Sequence, residues 1–259
     1  MYELENVGFS HGAKRAVEDL TLTFASSHFY GIIGPNGSGK TTLIDLLAGH
    51  LHPRKGCIRL NGRTLARYGR RSLSRRIALV PQDFRINFPY TCREIVMMGR
   101  YPHISRFSRP GRNDCSVVDR VMQETGLRTL AHRHANRLSG GERQRVVFAR
   151  SLAQETPVLL LDEATSNLDM QHAVSLLDLA ARRVHARTLV IAVMQDINLA
   201  AMYCDRLVCM QDGRVYASGP LASVLTAETL WKVFNVRARV SHDDFAGALQ
   251  VVLKREAQA

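Results

Sequence analysis

The chain has 259 residues, 46% hydrophobic and 22% charged, with a net charge of +12 from 35 basic and 23 acidic side chains. This is the composition of a globular protein with a sizeable core, in one large or two small domains, and it excludes a disordered or fibrous chain. No window approaches 18 uncharged apolar residues, the opening MYELENVGFS lacks the basic-then-apolar order of a secretory signal, and the five cysteines show no Cys-x-x-Cys spacing, so a cytosolic protein with reduced thiols and no metal–thiolate site is expected. The positive charge leaves nucleic acid, anionic lipid or a phosphorylated ligand open as partner.

To about residue 33 the pattern reads as β, with YELENVGF, LTLTF and HFYGIIG as strand-like runs separated by SHGAKRAVED and ASS. The period then changes: GKTTLIDLLAGH carries Leu43, Leu46 and Leu47 on one helical face, with Gly49 near its end. CIRLNG and RIALVPQ are further short strands. Residues 91–154 are mostly helical, in TCREIVMMG, CSVVDRVMQETG and GERQRVVFARSLAQ, with Gly126 and Pro157 as stops. PVLLLD and TLVIAV are continuous apolar runs of the kind buried on both faces of a parallel sheet, and the helical MQHAVSLLDLAARRVH lies between them. Gln195 follows the second run at a strand's C-terminal edge, where open α/β sheets bind ligands, and Asp196 or Asn198 would cap the helix INLAAMYCD. RLVCMQDGRVYASG is a hairpin around Asp212-Gly213, followed by a helix at TAETLWKVF and strand-like pieces near 236–240 and 249–254. The predicted architecture is a single α/β domain over residues 1–259. It has a mostly parallel core sheet, an N-terminal antiparallel β part, a helical lobe at about 91–154 and a C-terminal extension at about 220–259.

GPNGSGKTT, residues 34–42, follows a strand and opens a helix, the context of a phosphate-binding loop. Gly34, Gly37 and Gly39 let successive backbone N–H groups turn towards phosphate oxygens, Pro35, Asn36 and Ser38 complete the turn, and the helix N-terminus adds a favourable dipole. Lys40 would reach the β and γ phosphates and the Thr41 hydroxyl would ligate Mg²⁺, with Thr42 beside it. VLLLDEATSNLD ends an apolar strand in Asp162 and Glu163. Asp162 would hold Mg²⁺ through water, and Glu163 would act as general base on the attacking water. In LSGGERQR, residues Ser139, Gly140 and Gly141 form a second anion-receptive turn at a helix start. One nucleotide does not need two such turns on one chain, which suggests two copies facing head to tail.

With these motifs in order, the chain resembles the ATP-binding cassette (ABC) ATPases through nearly all of its length, a P-loop NTPase fold. GPNGSGKTT matches that family's Walker A motif, LSGGERQR its signature and VLLLDE its Walker B. The resemblance implies that Gln82, in ALVPQDF, touches Mg²⁺ and signals to a membrane partner, and that Ser166 to Asp169 form the D-loop, with Asn167 where alanine is common. It further implies a dimer sandwiching two ATP molecules, with Ser139 and Gly141 contacting the γ phosphate from the opposite subunit. Such a dimer would work peripherally on the cytoplasmic face of the inner membrane, with two copies of a transmembrane permease and, indirectly, a periplasmic or surface substrate-binding protein. MGRYPHISRFSRPGRND, AHRHANRLSGGERQR and DINLAAMYCDRLVCMQDGRVYASGPLASVLTAETL are similar to the cassettes of bacterial importers. Ferric siderophore ranks first as the transported chelate, haem second and cobalamin third.

Three further positions depart from the family pattern. His11 stands where an aromatic residue stacks on adenine, with Phe9 on the same strand face as the other candidate. Ala164 follows Glu163 in place of the usual proline. Gln195 occupies the switch position in place of a histidine, and no histidine occurs between His185 and His242 to replace it. An amide can donate and accept hydrogen bonds but carries no charge. The chain is therefore read either as a working ATPase with a reduced rate or as a weakly hydrolysing, ATP-gated clamp. Arg63, Arg67, Arg70, Arg71, Arg75 and Arg76, and then Arg100, Arg106, Arg109 and Arg112, form a basic run read as a solvated or membrane-apposed face. A non-transport ABC ATPase acting on nucleic acid or ribosomes is the rival class, but such proteins usually carry two cassettes or a long coiled coil. Here there is one cassette and no heptad run, so no nucleic acid is expected.

Overall fold

Tyr2, Leu4 and Val7 are buried while Glu5 and Asn6 face out, the near-alternation of a strand with one solvated face. From this start a computed structural model describes residues 1–82, 84, 88–166 and 168–255. The elements run β1 (Tyr2–His11), β2 (Lys14–Phe24), β3 (Phe29–Ile33), α1 (Lys40–Ala48), β4 (Lys55–Leu60), β5 (Arg63–Thr64), α2 (Arg70–Ser74), β6 (Ile77–Val80), α3 (Cys92–Met98), α4 (Arg112–Glu124), α5 (Gly140–Ala153) and β7 (Val158–Asp162). They continue with α6 (Met170–His185), β8 (Leu189–Val193), α7 (Ile197–Tyr203), β9 (Arg206–Gln211), β10 (Arg214–Pro220), α8 (Leu221–Val224), α9 (Ala227–Phe234), β11 (Ala238–Asp243) and β12 (Ala248–Leu253). They form two compact units: Met1–Arg67 with the chain from Leu189 onward, and Tyr68–Thr188.

In the first unit, β1 lies antiparallel between β2 and β4, and β5 pairs with β4. The residues SHGAKRAVED, predicted to separate two strands, instead begin a strand: the chain turns after His11, and Lys14 pairs back with it. The alternation was concealed by irregularities in the β1–β2 register, with Asn6 and Asp19 both at positive φ. A second set of strands has β3 parallel to both β8 and β9, with β10 antiparallel to β9 across the predicted Asp212-Gly213 turn. All five residues of β3 and all five of β8 are buried, as expected for continuous apolar strands. Helix α1 seats Leu43, Ile44, Leu46 and Leu47 completely out of solvent, and the buried Tyr2 hydroxyl donates to the Leu47 carbonyl at 2.8 Å. The β11–β12 hairpin is tied to α7 by Asn198, whose side chain accepts from Val251 N–H at 2.8 Å and donates to its carbonyl at 3.3 Å. That duty leaves the cap of α7 to Asp196, which accepts from Asn198 and Leu199 N–H.

The second unit packs α3, α4 and α5 through the predicted helical stretch, with β6 parallel to β7. Arg100 is its ionic centre: with 4% of its side chain exposed, it donates to Asp114 at 3.1 Å, to Glu155 at 2.8 Å and to the Ala153 carbonyl at 2.7 Å. One guanidinium thereby joins the end of α3 to α4 and to the end of α5. Removing it would leave the largely buried Asp114 carboxylate without its cation, while Glu155 keeps the Arg120 guanidinium at 2.6 Å. Arg100→Met should therefore cost about 2 kcal/mol, below the 3–5 kcal/mol of a fully buried pair, measured by urea denaturation.

Candidate functional site

The loop between β3 and α1 owes its shape to glycine. Gly34 (φ 154°) and Gly39 (φ 97°) adopt backbone conformations that side chains disfavour, and at each there is no room for one: an added Cβ would stand 2.2 Å from the Met210 carbonyl oxygen at Gly34 and 2.3 Å from the Ala16 carbonyl oxygen at Gly39. Gly39 supplies no side-chain cap to α1, so the helix start offers its N–H groups outward. The Lys40 ammonium, only 6% exposed, turns back to donate to the Gly34 and Pro35 carbonyls at 2.9 Å each. The Ser38 hydroxyl is buried with no hydrogen-bond partner among the described residues. A glycine-built turn, an open helix start, a cation and an orphaned hydroxyl together fit a phosphate group.

Two predicted residues stand beside this loop. The terminal residue of β1, His11, lies 3.4 Å from the Thr42 hydroxyl through Nε2, and its ring meets Phe9 edge-on at 4.9 Å. His11 is exposed and Phe9 half-buried, so the outer face belongs to the imidazole. Gln195 is set by the sheet ladder: Ile32 pairs with Val193, Met194 N–H still bonds the Ile32 carbonyl, and Gln195 is the first residue beyond, exposed at the edge where the phosphate loop leaves β3.

In the second unit β7 is buried throughout and delivers Asp162, 5% exposed, and Glu163, 8% exposed, at its C-terminal end. Glu163 has φ 48°, a left-handed conformation that costs a non-glycine residue about 1–2 kcal/mol. Its carbonyl accepts from the Ser166 N–H at 3.1 Å and hydroxyl at 2.9 Å, while the following carbonyl, of Ala164, accepts from Gln144 at 3.2 Å. The Glu163 carboxylate accepts from the Gln82 side-chain amide at 2.7 Å. This pairing was not predicted: both residues were assigned, but 81 positions apart and to different duties.

Ser139 caps α5 in a reciprocal box: its hydroxyl accepts from Glu142 N–H at 3.2 Å and its own N–H donates to the Glu142 carboxylate at 2.8 Å. The Ser139 N–H is the chief cause that holds the Glu142 carboxyl below its ordinary value. Gly140 and Gly141 open the helix, yet a Cβ at Gly140 would meet nothing within 4 Å and one at Gly141 would make only ordinary contact with Leu168. Neither backbone strain nor packing requires glycine there, although glycine costs a helix about 1 kcal/mol per residue. Asp169 caps α6 through His172 N–H at 2.9 Å, and that bond is the main reason its carboxyl is held low. Asn167, the noted departure in the D-loop, lies outside the described residues.

A glycine-built phosphate loop between a buried parallel strand and a helix, with acidic residues ending another such strand, defines a P-loop α/β protein. Residues 17–166 match the ABC transporter family model, and the chain belongs to that family. It is 43% identical over 241 residues to the cobalamin import ATP-binding protein BtuD of Halobacterium salinarum, across 92% of this chain and 59% of that protein. It is 37% identical over 250 residues to the ferric enterobactin transport ATP-binding protein FepC of Escherichia coli K12, across 96% and 92%. A solved structure described as an inward-facing conformation of a metal-chelate type ABC transporter superposes with a TM-score of 0.83 at 28% identity, covering 98% of this chain and 97% of that one. This chain thus spans little more than half the length of the Halobacterium relative.

At Gly39 both the backbone angle and the Ala16 carbonyl exclude a side chain. Gly39→Ala is therefore expected to weaken binding of a fluorescent ATP analogue by about a hundredfold or more, as two strained contacts of the order of 1–3 kcal/mol each would imply.

Proposed function

We propose that this chain is the ATP-binding and hydrolysing subunit of a bacterial ABC importer for a metal chelate, working peripherally at the inner membrane on a separate permease. The observation that carries hydrolysis is the acidic pair ending β7, where Glu163 is held strained and hydrogen-bonded at the strand's edge. Relatives named for cobalamin and ferric enterobactin support the chelate class. Within it, ferric siderophore is preferred over haem and cobalamin, on the resemblance of the helical lobe. No described helix is long and apolar enough to cross a membrane, so the transport path would lie on other chains.

In this reading ATP phosphates take the place of the Gly34 and Pro35 carbonyls as partners of Lys40, and the N–H groups of residues 37–42 and the Ser38 hydroxyl bond the phosphate oxygens. His11 supplies a stacking face for adenine. Oxygen donors suit Mg²⁺, and Thr41, Gln82 and Asp162 would hold it, neutralising phosphate charge. Glu163 accepts the proton of the attacking water. Gln195 donates its amide N–H to the γ phosphate and accepts from that water, without the charge an imidazolium would bring.

The Ser139–Gly141 turn acts on the ATP of a second copy, and the two glycines this fold does not require permit that close approach. Asp169 lies across the same contact. The assembly is then two copies head to tail, two permease chains, and a substrate-binding protein that delivers the chelate.

Lys40→Ala should abolish ATP binding or reduce turnover by at least about a hundredfold. Glu163→Gln should bind ATP, cease turnover and elute as a dimer; normal turnover by that variant would remove Glu163 as base. Steady-state rates for the parent, Gln195→His and Gln195→Ala decide between ATPase and clamp. A working enzyme predicts measurable parental hydrolysis, a rise of about tenfold with histidine and a fall with alanine. Hydrolysis found only in the histidine variant would make the parent a clamp.

A further inference from the structure

The stretch from Tyr101 to Asn113 holds His103, Arg106, Arg109 and Arg112 and no acidic residue. Its first part is braced from two sides. From α2, Arg71 donates to the Pro102 carbonyl at 3.0 Å and to the Ile104 carbonyl, and Arg75, which follows that helix, donates to the Pro102 carbonyl at 2.7 Å. His103 Nε2 donates to the Gln154 carbonyl at 2.8 Å. The far end is held too, because the Gly111 N–H bonds the Asp114 carboxylate at 2.9 Å where α4 begins. Arg71 and Arg75, read from sequence as part of a basic face, therefore serve as struts for this loop.

Between the braces the chain turns outward. The Ser108 N–H bonds the Ser105 carbonyl at 2.9 Å, closing a tight turn with Arg106 and Phe107 at its tip. Phe107 is 96% exposed, and the Arg106 guanidinium lies 5.7 Å from its ring centroid. Among the described residues no carboxylate pairs with Arg106, Arg109 or Arg112, and Asp114, the next acidic residue, is already engaged by Gly111 and Arg100. A lone exposed aromatic is ordinary on a protein surface. One carried on a braced turn among unpaired cations has a more specific meaning.

A partner for this turn must be negative and must accept an apolar ring behind its charge. The residues between the arginines are small, with Ser105, Ser108 and Gly111 beside them, and offer little side-chain surface to a protein groove. A lipid surface asks only for charge and depth: headgroup phosphates meet the guanidiniums while the ring sinks to the acyl boundary. We propose that the turn at residues 105–109 is a membrane-contact element that inserts Phe107 among anionic phospholipids, with Arg106 and Arg109 on their phosphates. The contact gives the chain its own hold on a bilayer, without permease or nucleotide, and so goes beyond the proposed ATPase role.

The test is co-sedimentation of the purified full chain, without nucleotide, with vesicles of phosphatidylcholine alone or with about one-third phosphatidylglycerol. The parent should bind the anionic vesicles at least about tenfold more tightly than the neutral ones and lose that preference at about 0.5 M salt. Phe107→Ser, and separately the double variant Arg106→Ser with Arg109→Ser, should each weaken anionic binding about tenfold. Their melting temperatures should match the parent's, because all three side chains are exposed. Phe107→Trp should show a blue shift of indole emission on anionic vesicles that the parent, whose single tryptophan is Trp231, lacks. Equal binding to both vesicles, parental binding by the serine variants, or no emission shift overturns the proposal. If the chain ignores vesicles and Phe107→Ser instead loses stimulation of ATP hydrolysis by a detergent-solubilised permease, the turn is a protein contact and the lipid proposal is overturned. Vesicle binding is read without ATP, so its failure leaves the ATPase reading standing, and absent hydrolysis leaves the lipid contact standing.

Discussion

The chemistry of this protein depends on strands buried on both faces. Every residue of β3, β7 and β8 is out of solvent, so a polar side chain within them would need a partner that the surrounding apolar residues cannot offer. Apart from Tyr30 in β3, whose buried hydroxyl accepts from the Ala25 N–H at 2.9 Å, polar groups are therefore displaced to the ends of the strands, where peptide groups leave the ladder. The parallel register of Ile32 with Val193 then fixes which ends coincide. The phosphate loop leaves β3 and Gln195 leaves β8 at one edge, although more than 150 residues of chain separate them. The acidic pair after Leu161 follows the same rule on β7.

The residues at these edges differ in how their backbone is accommodated. Left-handed or otherwise restricted angles at Gly34 and Gly39 cost little because no Cβ is present, and the freed space admits the carbonyls of Met210 and Ala16. Glu163 has no such relief. It keeps its side chain at φ 48°, and the neighbouring hydrogen bonds offset the strain: two from Ser166 to its carbonyl and one from Gln82 to its carboxylate. A glycine there would be less strained and would carry no carboxylate. Retained strain at a residue whose side chain is exchangeable in principle is the pattern expected where function selects the side chain.

The legible part of the fold consists of features with a local signature. Apolar runs became buried strands, Leu43, Leu46 and Leu47 became the inner face of α1, and Gly49 ended that helix. The spacing of Gly34, Gly39, Lys40 and Thr41 located the loop before any fold was known. The first half of β2 was hidden because bulges broke its period. The Gln82–Glu163 bond was hidden for another reason: it joins residues 81 positions apart, and neither residue type announces its partner. Nor does MMGRYPH disclose that its arginine is the buried centre of an ionic network, since an arginine after a helix is ordinarily solvated.

Gln195 brings the same strand-end rule to the proposed reaction. Its place is dictated by the β3–β8 ladder, and Asp196 rather than the glutamine caps the next helix. The backbone would hold histidine or glutamine equally well at an exposed position past the last ladder bond. In the proposed reaction the amide therefore bears on chemistry rather than on folding. With an amide there, the switch position itself carries no titratable group. In the proposed reaction no imidazole at the switch position then gains or loses a proton near pH 6.5, and transition-state charge would fall to the Mg²⁺ that Thr41, Gln82 and Asp162 hold, to Lys40 and to the helix start of α1. A cassette built this way gives up one positive charge and with it one source of pH sensitivity, so that in the proposed reaction proton transfer rests on Glu163 alone.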